Sequence, residues 1–275
     1  MKYIRVNKMT DYANSEIIIE ITRIAAEMYR HGWDERNSGN ISILLNEDQL
    51  PENRDAIRTM PLNFNAKKLA GRCFLVTGTG KYFRNMQYEP ERDLGVIRIS
   101  ENGWYADLLW GFSDGCEFTS ELPAHLMGHI SRMESDPENR VILHCHPSNI
   151  LAMTFVHSLD EREFTRTLWQ MCTESMIIFP DGIGVLPWML CGTDEIGIAT
   201  ANKLKSSRIV VWAQHGIYAS GRGLDETFGL IETAEKAAEI YLKIAHLPRL
   251  NTINDDQLRQ IAKRFNVTPR EEFLS

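Results

Sequence analysis

The stretch VILHCHPSN (141–149) sets His144 and His146 two residues apart at the end of an apolar run. On a strand, a spacing of two turns both imidazoles to one face and Cys145 to the other. Two imidazoles facing one way form part of a common metal site. The other reading is a hydrogen-bonded pair finishing a buried strand. A third imidazole, His215, ends the β-type run of VVWAQHGIYASG (210–221), with Gly216 behind it to make a sharp turn. Three histidines leave zinc one or more positions open for substrate, as in a catalytic site and not a structural one. For His215 the plain alternative is a capped turn residue.

In FTSELPAHLMGHI (118–130), Thr119 and Ser120 precede an acid that opens a helix. Hydroxyls and free backbone N–H groups at such a point suit an anion. Glu121 is either a first-turn acid answering the helix dipole or, beside a metal, a general base. His125 and His129 make a helical HxxxH pair, but a zincin needs Glu directly after the first His and Leu126 stands there. A metalloprotease motif is thereby rejected. His129 reads as structural, and His125, one turn from Glu121, as placed to orient it.

Two glycine-containing turns complete the chemistry: RNSGNIS (36–42) and VTGTGKYF (76–83). Neither matches a P-loop or a GxGxxG motif. Each is either a bare turn or a cradle whose amides meet a phosphate, with the side-chain amides of Asn37 and Asn40 and the strand-to-turn setting of TGTG in favour of the cradle.

The elements that must position these residues are legible in outline. Ile17, Ile21, Ile24 and Met28 recur at helical spacing, so 15–31 is expected as an amphipathic helix stopped by Gly32. Leu224, Phe228, Ile231, Ala238, Leu242 and Ala245 hold a second stripe until Pro248. Strands are expected at 41–45, 73–77, 95–99, 105–110, 141–146 and 208–213, and helices at 121–133, 148–156, 163–172 and 194–204. Their interleaving points to an α/β fold with a mixed sheet covered on both faces. Residues 46–72 are polar and without period and are expected as a surface excursion. The whole of 1–275 reads as a single domain, with a mobile N-terminal helical part at about 1–35.

The charge balance, thirty basic against thirty-seven acidic residues for a net −7, disfavours nucleic acid and anionic membrane as partners. An anionic substrate would then need a local answer such as a helix N-terminus, a glycine turn or a metal. Five widely spaced cysteines without a CxxC pair fit reduced thiols in a cytosol. No apolar run approaches bilayer length.

In order along the chain, RNSGN, VTGTGK, TSELPAH, HCH and QHG resemble the class II, zinc-dependent family of sugar-phosphate aldolases and epimerases. Longer blocks, GWDERNSGN, FPDGIGVLPWM, GTDEIG and LDETFGLIETAEK, extend the similarity from about Gly32 to Val267. The resemblance implies one Zn2+ per subunit on His144, His146 and His215. It makes Glu121 the acid/base residue and places Asn37, Asn40, Thr79, Gly80, Thr119 and Ser120 around the phosphate of a small phosphorylated ketose. Glu174, in CTES, matches an acid that handles the aldehyde's proton. It implies a homotetramer with active sites near subunit interfaces, which the thiols place in the cytoplasm, and a three-layer α/β/α fold with a central, largely antiparallel (mixed) sheet. Ser38 replaces a glycine often found before GN, and Thr79 stands where a serine also occurs. A zinc hydrolase is disfavoured by the ordered phosphate turns, and an adducin-like interaction module by the intact ligand set.

Overall fold

A computed structural model of the chain describes residues 12–274. The strands, in chain order, are β1 (Asn40–Leu44), β2 (Arg58–Pro61), β3 (Cys73–Thr77), β4 (Leu94–Ile99), β5 (Tyr105–Gly111), β6 (Val141–Cys145), β7 (Ile183–Leu186), β8 (Ile209–Trp212) and β9 (Gly216–Gly221). The helices are α1 (Glu16–Arg30), α2 (Phe83–Met86), α3 (Pro90–Asp93), α4 (Leu122–Ser135), α5 (Ser148–Val156), α6 (Glu161–Trp169), α7 (Thr173–Ile178), α8 (Asp194–Lys203), α9 (Leu224–Ile244) and α10 (Asp255–Phe265).

All nine strands join one sheet in the order β2-β5-β4-β3-β1-β6-β9-β8-β7. Every pairing is antiparallel except β7 with β8, which α8 connects as a parallel crossover. The sheet is therefore mixed and largely antiparallel, and it stays open between its edges β2 and β7.

Strand alternation divides the core between the two faces. On β6, Val141, Leu143 and Cys145 enter a core shared with α1, α5, α6 and α9, while Ile142 faces the opposite layer, packed with α4 and α8. Burial on both faces makes the central strands apolar throughout, as sheets covered twice must be. On α1, Ile21, Ile24 and Met28 are fully buried and contribute about 2 kcal/mol each. The helix ends where expected, with Gly32 at φ +75° just beyond it. The remainder of the expected mobile N-terminal part, residues 1–11, lies outside the described residues.

The span 46–72 departs from the expected surface excursion. It supplies the edge strand β2, paired to β5 from Arg58↔Leu108 to Pro61↔Tyr105. Leu62, Phe64, Ala66 and Leu69 are buried in a core with Phe74, Ile97 and Leu126. Pro61 lacks a ladder donor, which an edge strand tolerates.

Candidate metal centre and anion cavity

Strand β6 lies between β1 and β9, and its end carries the first ligands. His144 pairs with Asn40 on one side and Tyr218 on the other. His146 follows one residue after the strand. His215 sits in the β8–β9 turn, next to Gln214, which adopts a left-handed φ of +59° and is held there by hydrogen bonds from its N–H and Nε2 to the Thr154 hydroxyl and carbonyl. The three rings stand at the corners of a triangle with centroids 5.1 Å apart on each side. Their ring nitrogens lie within 4.8 Å of one another.

Gly216 makes this approach possible. Its backbone φ needs no glycine, but a Cβ there would meet the Cys145 carbonyl at 2.5 Å and the His146 and His144 rings at 2.8 and 3.0 Å. The expected sharp turn is present at residues 213–215, and Gly216 beside it leaves room for two imidazoles.

The donor set fits a metal ion. His144 Nδ1 donates to the Ile217 carbonyl at 3.0 Å, and His146 Nδ1 donates to Glu35 Oε1 at 2.8 Å. Each ring therefore turns an unprotonated Nε2 toward the cluster, and both Nε2 atoms are buried without a hydrogen-bond partner. Metal-ligating imidazoles show this division of labour, with one nitrogen fixed by an acceptor and the other left for the ion. Burial pushes His144 well below the ordinary histidine range, and neighbouring His146 and His215 push it further. Burial likewise lowers His215, against the opposing charge of Glu121. Cys145 faces the opposite core, as the alternation requires.

Glu121 stands at the N-cap position of α4, its side chain turned away from the helix to close the open side of the triangle. Its Oε2 is 3.5 Å from His144 Nε2 and its Oε1 is 3.8 Å from His215 Nε2. Oε2 accepts from Asn40 Nδ2 at 2.8 Å and from the Tyr218 hydroxyl at 3.1 Å. Cys191, in the loop before α8, joins Glu121 and His215 in a second group of donor atoms lying within 4.8 Å of one another.

Beside the imidazoles opens a cavity of about 210 Å³. Asn37, Asn40, Thr79, Gly80, Thr119 and Ser120 all line it, together with the three histidines and Glu121. Two backbone segments form its far wall. Gly78 bridges to Phe118, the Thr79 N–H donates to the Glu117 carbonyl and the Thr119 N–H to the Thr77 carbonyl. The opposite turn depends on Gly39, whose φ is +79° and whose Cβ would lie 3.0 Å from the His144 carbonyl. Among the described residues, no lysine or arginine lines the cavity. Lys81, next to Gly80, is buried and committed to Asp114 and, at 3.6 Å, to Asp93. An anion here would meet hydroxyls, amides and the positive end of α4.

Two expected site residues sit differently from the rest. The Asn40 side chain is spent on Glu121 and His125, so only its backbone remains for an anion. Glu174, at the start of α7, lines a separate surface pocket with His31, Trp33 and Lys236 and does not reach the metal cavity of its own chain. Sequence reading passed over Glu35, Ser42, Tyr218 and Cys191. A period of two from Asn40 reaches Ser42, and the same period from Gly216 reaches Tyr218. Glu35 and Cys191 gave no such signal.

Known proteins resemble this chain along nearly its whole length. The family model described as Class II Aldolase and Adducin N-terminal domain matches residues 19–242. A rhamnulose-1-phosphate aldolase from Listeria monocytogenes is 52% identical over 269 residues, covering 96% of this chain and 98% of that protein. One from Enterococcus faecalis is 53% identical over 259 residues, 93% of each. Among solved structures, a sugar-phosphate aldolase from Thermotoga maritima superposes with a TM-score of 0.75 at 31% identity, covering 86% of this chain and 97% of that one.

Proposed function

The chain belongs to the class II aldolase and adducin N-terminal domain family, and on that premise we propose that it cleaves L-rhamnulose 1-phosphate, reversibly, to dihydroxyacetone phosphate and L-lactaldehyde in rhamnose degradation. The observation that carries this reading is identity of about half with rhamnulose-1-phosphate aldolases along nearly the whole chain. The cluster of three imidazoles and a carboxylate, beside a cavity of hydroxyls and amides, suits that chemistry.

Cleavage of a β-hydroxyketone leaves an enediolate, whose negative charge is the energetic obstacle. Zinc held by His144, His146 and His215 would supply Lewis-acid stabilisation of charge on the substrate's oxygens, worth several kcal/mol. The chain's own residues do the rest. Thr79, Ser120 and Asn37, with the turn around Gly80, hold the phosphate and so fix the reacting carbons relative to Glu121. Glu121 returns a proton to the enediolate carbon, and in the synthetic direction removes it. Its Oε2 is occupied by two donors, so Oε1, which faces His215, is the oxygen that carries that proton.

Glu174 handles the aldehyde's proton from a neighbouring subunit, in a homotetramer whose active sites lie near subunit interfaces. Its exposed position, in a pocket apart from its own subunit's cavity, supports that arrangement. The five free thiols suit a cytoplasmic enzyme, and among the described residues no helix is long and apolar enough to cross a membrane.

The test is a coupled assay of the purified protein on L-rhamnulose 1-phosphate, L-fuculose 1-phosphate and L-ribulose 5-phosphate. Release of dihydroxyacetone phosphate from the first is expected. Cleavage of the second alone, or epimerisation of the third, would move the chain to another branch of the family. Mixed oligomers of Glu121→Gln and Glu174→Gln subunits should recover activity that neither variant has alone.

A further inference from the structure

Glu121 is the last member of a buried row that runs between helix α4 and strand β1. The helix presents Glu121, His125 and His129 at four-residue steps, each rising about 6 Å. The strand presents Asn40 and Ser42 at a two-residue step of about 6.7 Å. These near-equal steps let the two rows interdigitate. His129 Nε2 lies 2.8 Å from the Ser42 hydroxyl, which lies 2.7 Å from His125 Nδ1. His125 Nε2 contacts Asn40 Oδ1, and Asn40 Nδ2 reaches Glu121 Oε2 at 2.8 Å. All five residues are buried.

The direction of every bond follows from the last acceptor. A carboxylate only accepts, so Asn40 must turn its NH2 to Glu121 and its oxygen to His125. That oxygen also only accepts, so the His125 proton is on Nε2. Burial holds His125 far below the ordinary histidine range and His129 at about 3, so both rings are neutral. The His125 Nδ1 lone pair then takes the Ser42 hydroxyl proton, and the Ser42 oxygen accepts from His129 Nε2–H. The remaining atom, His129 Nδ1, is buried without a partner, as the lone pair at the start of such a row must be. Reversing the row would leave a buried N–H donor unpaired there, the more expensive defect.

We infer that Ser42, His125 and His129 are positioning residues for Glu121, forming a one-way row of donors that anchors its Oε2 and leaves Oε1 free toward the three imidazoles. This rests on the acid/base role given to Glu121 above. The row delivers no proton, since the Asn40 amide does not readily release one and the far end, His129 Nδ1, is buried with no donor to resupply it. It holds the carboxylate in one rotamer as substrate comes and goes.

Two measurements test it. Long-range 15N–1H correlation spectra of the isotope-labelled, substrate-free protein at pH 7 should show His125 and His129 neutral and protonated on Nε2. Protonation of either ring on Nδ1 would overturn the row. In the second, Ser42→Ala and His129→Leu should retain bound metal and the KM for L-rhamnulose 1-phosphate while kcat falls about tenfold or more. His129→Gln, whose side-chain amide keeps a donor for Ser42, should stay near the parent rate. Unchanged kcat in both Ser42→Ala and His129→Leu, or equal losses in His129→Leu and His129→Gln, refutes the inference. If Ser42→Ala does not fold, the two His129 variants decide. An inactive parent protein with the expected tautomers would remove the proposed function and leave the row, whereas an active one with other tautomers would do the reverse.

Discussion

Glu35 Oε1 lies 2.8 Å from His146 Nδ1, so a carboxylate two residues before the Asn37 turn fixes the tautomer of a candidate metal ligand. Burial, the largest single influence, raises the Glu35 carboxyl, yet the hydrogen bond and charge of His146, with hydrogen bonds from its own backbone N–H and from Ser38, together outweigh it and hold the group below the usual carboxylate range. Glu35→Ala should therefore weaken metal binding by about 10- to 100-fold, read by competition with a chromogenic chelator. Glu35→Gln, which still offers an acceptor, should lose less. Equal affinity in all three proteins would mean that the contact does not orient His146.

Glu121→Gln should keep its metal and lose about 10²- to 10⁴-fold in the rate of ketose phosphate cleavage, the range for removal of a general acid/base. His144→Ala should lose both metal and rate. Metal content by atomic absorption beside initial rates separates the two cases. Loss of metal from Glu121→Gln would make that residue a ligand instead.

Gly216→Ala places a methyl 2.5 Å from the Cys145 carbonyl and against two imidazoles. The β6–β9 pairing must spread or the rings must turn, at about 1–3 kcal/mol. A lower melting temperature and reduced metal occupancy are expected together. A variant with normal occupancy would show that the triangle tolerates expansion.

Neutral buried histidines make the fold acid-sensitive. His129 is pushed down to about 3 by burial, and burial lowers His125 as well. In the unfolded chain both protonate near pH 6.5. Between those values the unfolded state binds more protons, so this contribution is complete above about pH 6.5 and is lost as pH falls toward 3. At pH 5 the His129 ring has withdrawn about 2 kcal/mol, and His125 acts in the same direction. Urea midpoints should fall from pH 7 to 5, and less so in His129→Gln. A midpoint that rises on acidification would contradict this.

Asp34 contributes with the opposite sign. It is buried, no side-chain donor reaches its carboxylate oxygens, and burial, opposed only weakly by the Phe83 backbone N–H, raises the carboxyl to about 8. Its folded pKa exceeds the unfolded value near 4, so its contribution is complete below pH 4 and is lost as pH rises through 8. One such group does not cancel two histidines between pH 5 and 6.5. Asp34→Asn should raise stability at pH 8 by several kcal/mol, about 1.4 for each pH unit between the two pKa values, and leave it unchanged near pH 4. A decrease at pH 8 would show that the ionised carboxylate has a partner in solution.

Periodicity revealed the elements that carry long apolar stripes or alternating runs. Strand β3 matched its expected bounds of 73–77, and α5 those of 148–156. Strand β9, GIYASG, was obscured by its small residues and two glycines, Gly216 where the histidines crowd it and Gly221 where Thr227 and Glu226 do. Strand β7 is four residues flanked by turn residues, and β2 ends in proline. Helix α10 did carry a signal, a capping box between Asn254 and Gln257. At the site, motif order brought the imidazoles, Glu121 and the turns together, because each lies at an element's end where sequence marks a boundary. Tyr218 and Ser42 escaped because they lie inside strands, where a polar residue reads only as an interruption. Glu35 escaped because its partner is distant in sequence.

The Asn40–Glu121 contact joins residues 81 apart in the chain, and the Glu121–Tyr218 contact joins residues 97 apart. Such pairings close only after large loops have been brought together, which slows folding. The three imidazoles and the carboxylate can therefore converge only late, once β1, β6 and β9 lie side by side. A metal ion that requires all three rings finds no complete partner in the nascent or denatured chain. It would then lower the unfolding rate of the finished enzyme and leave its refolding rate almost unchanged.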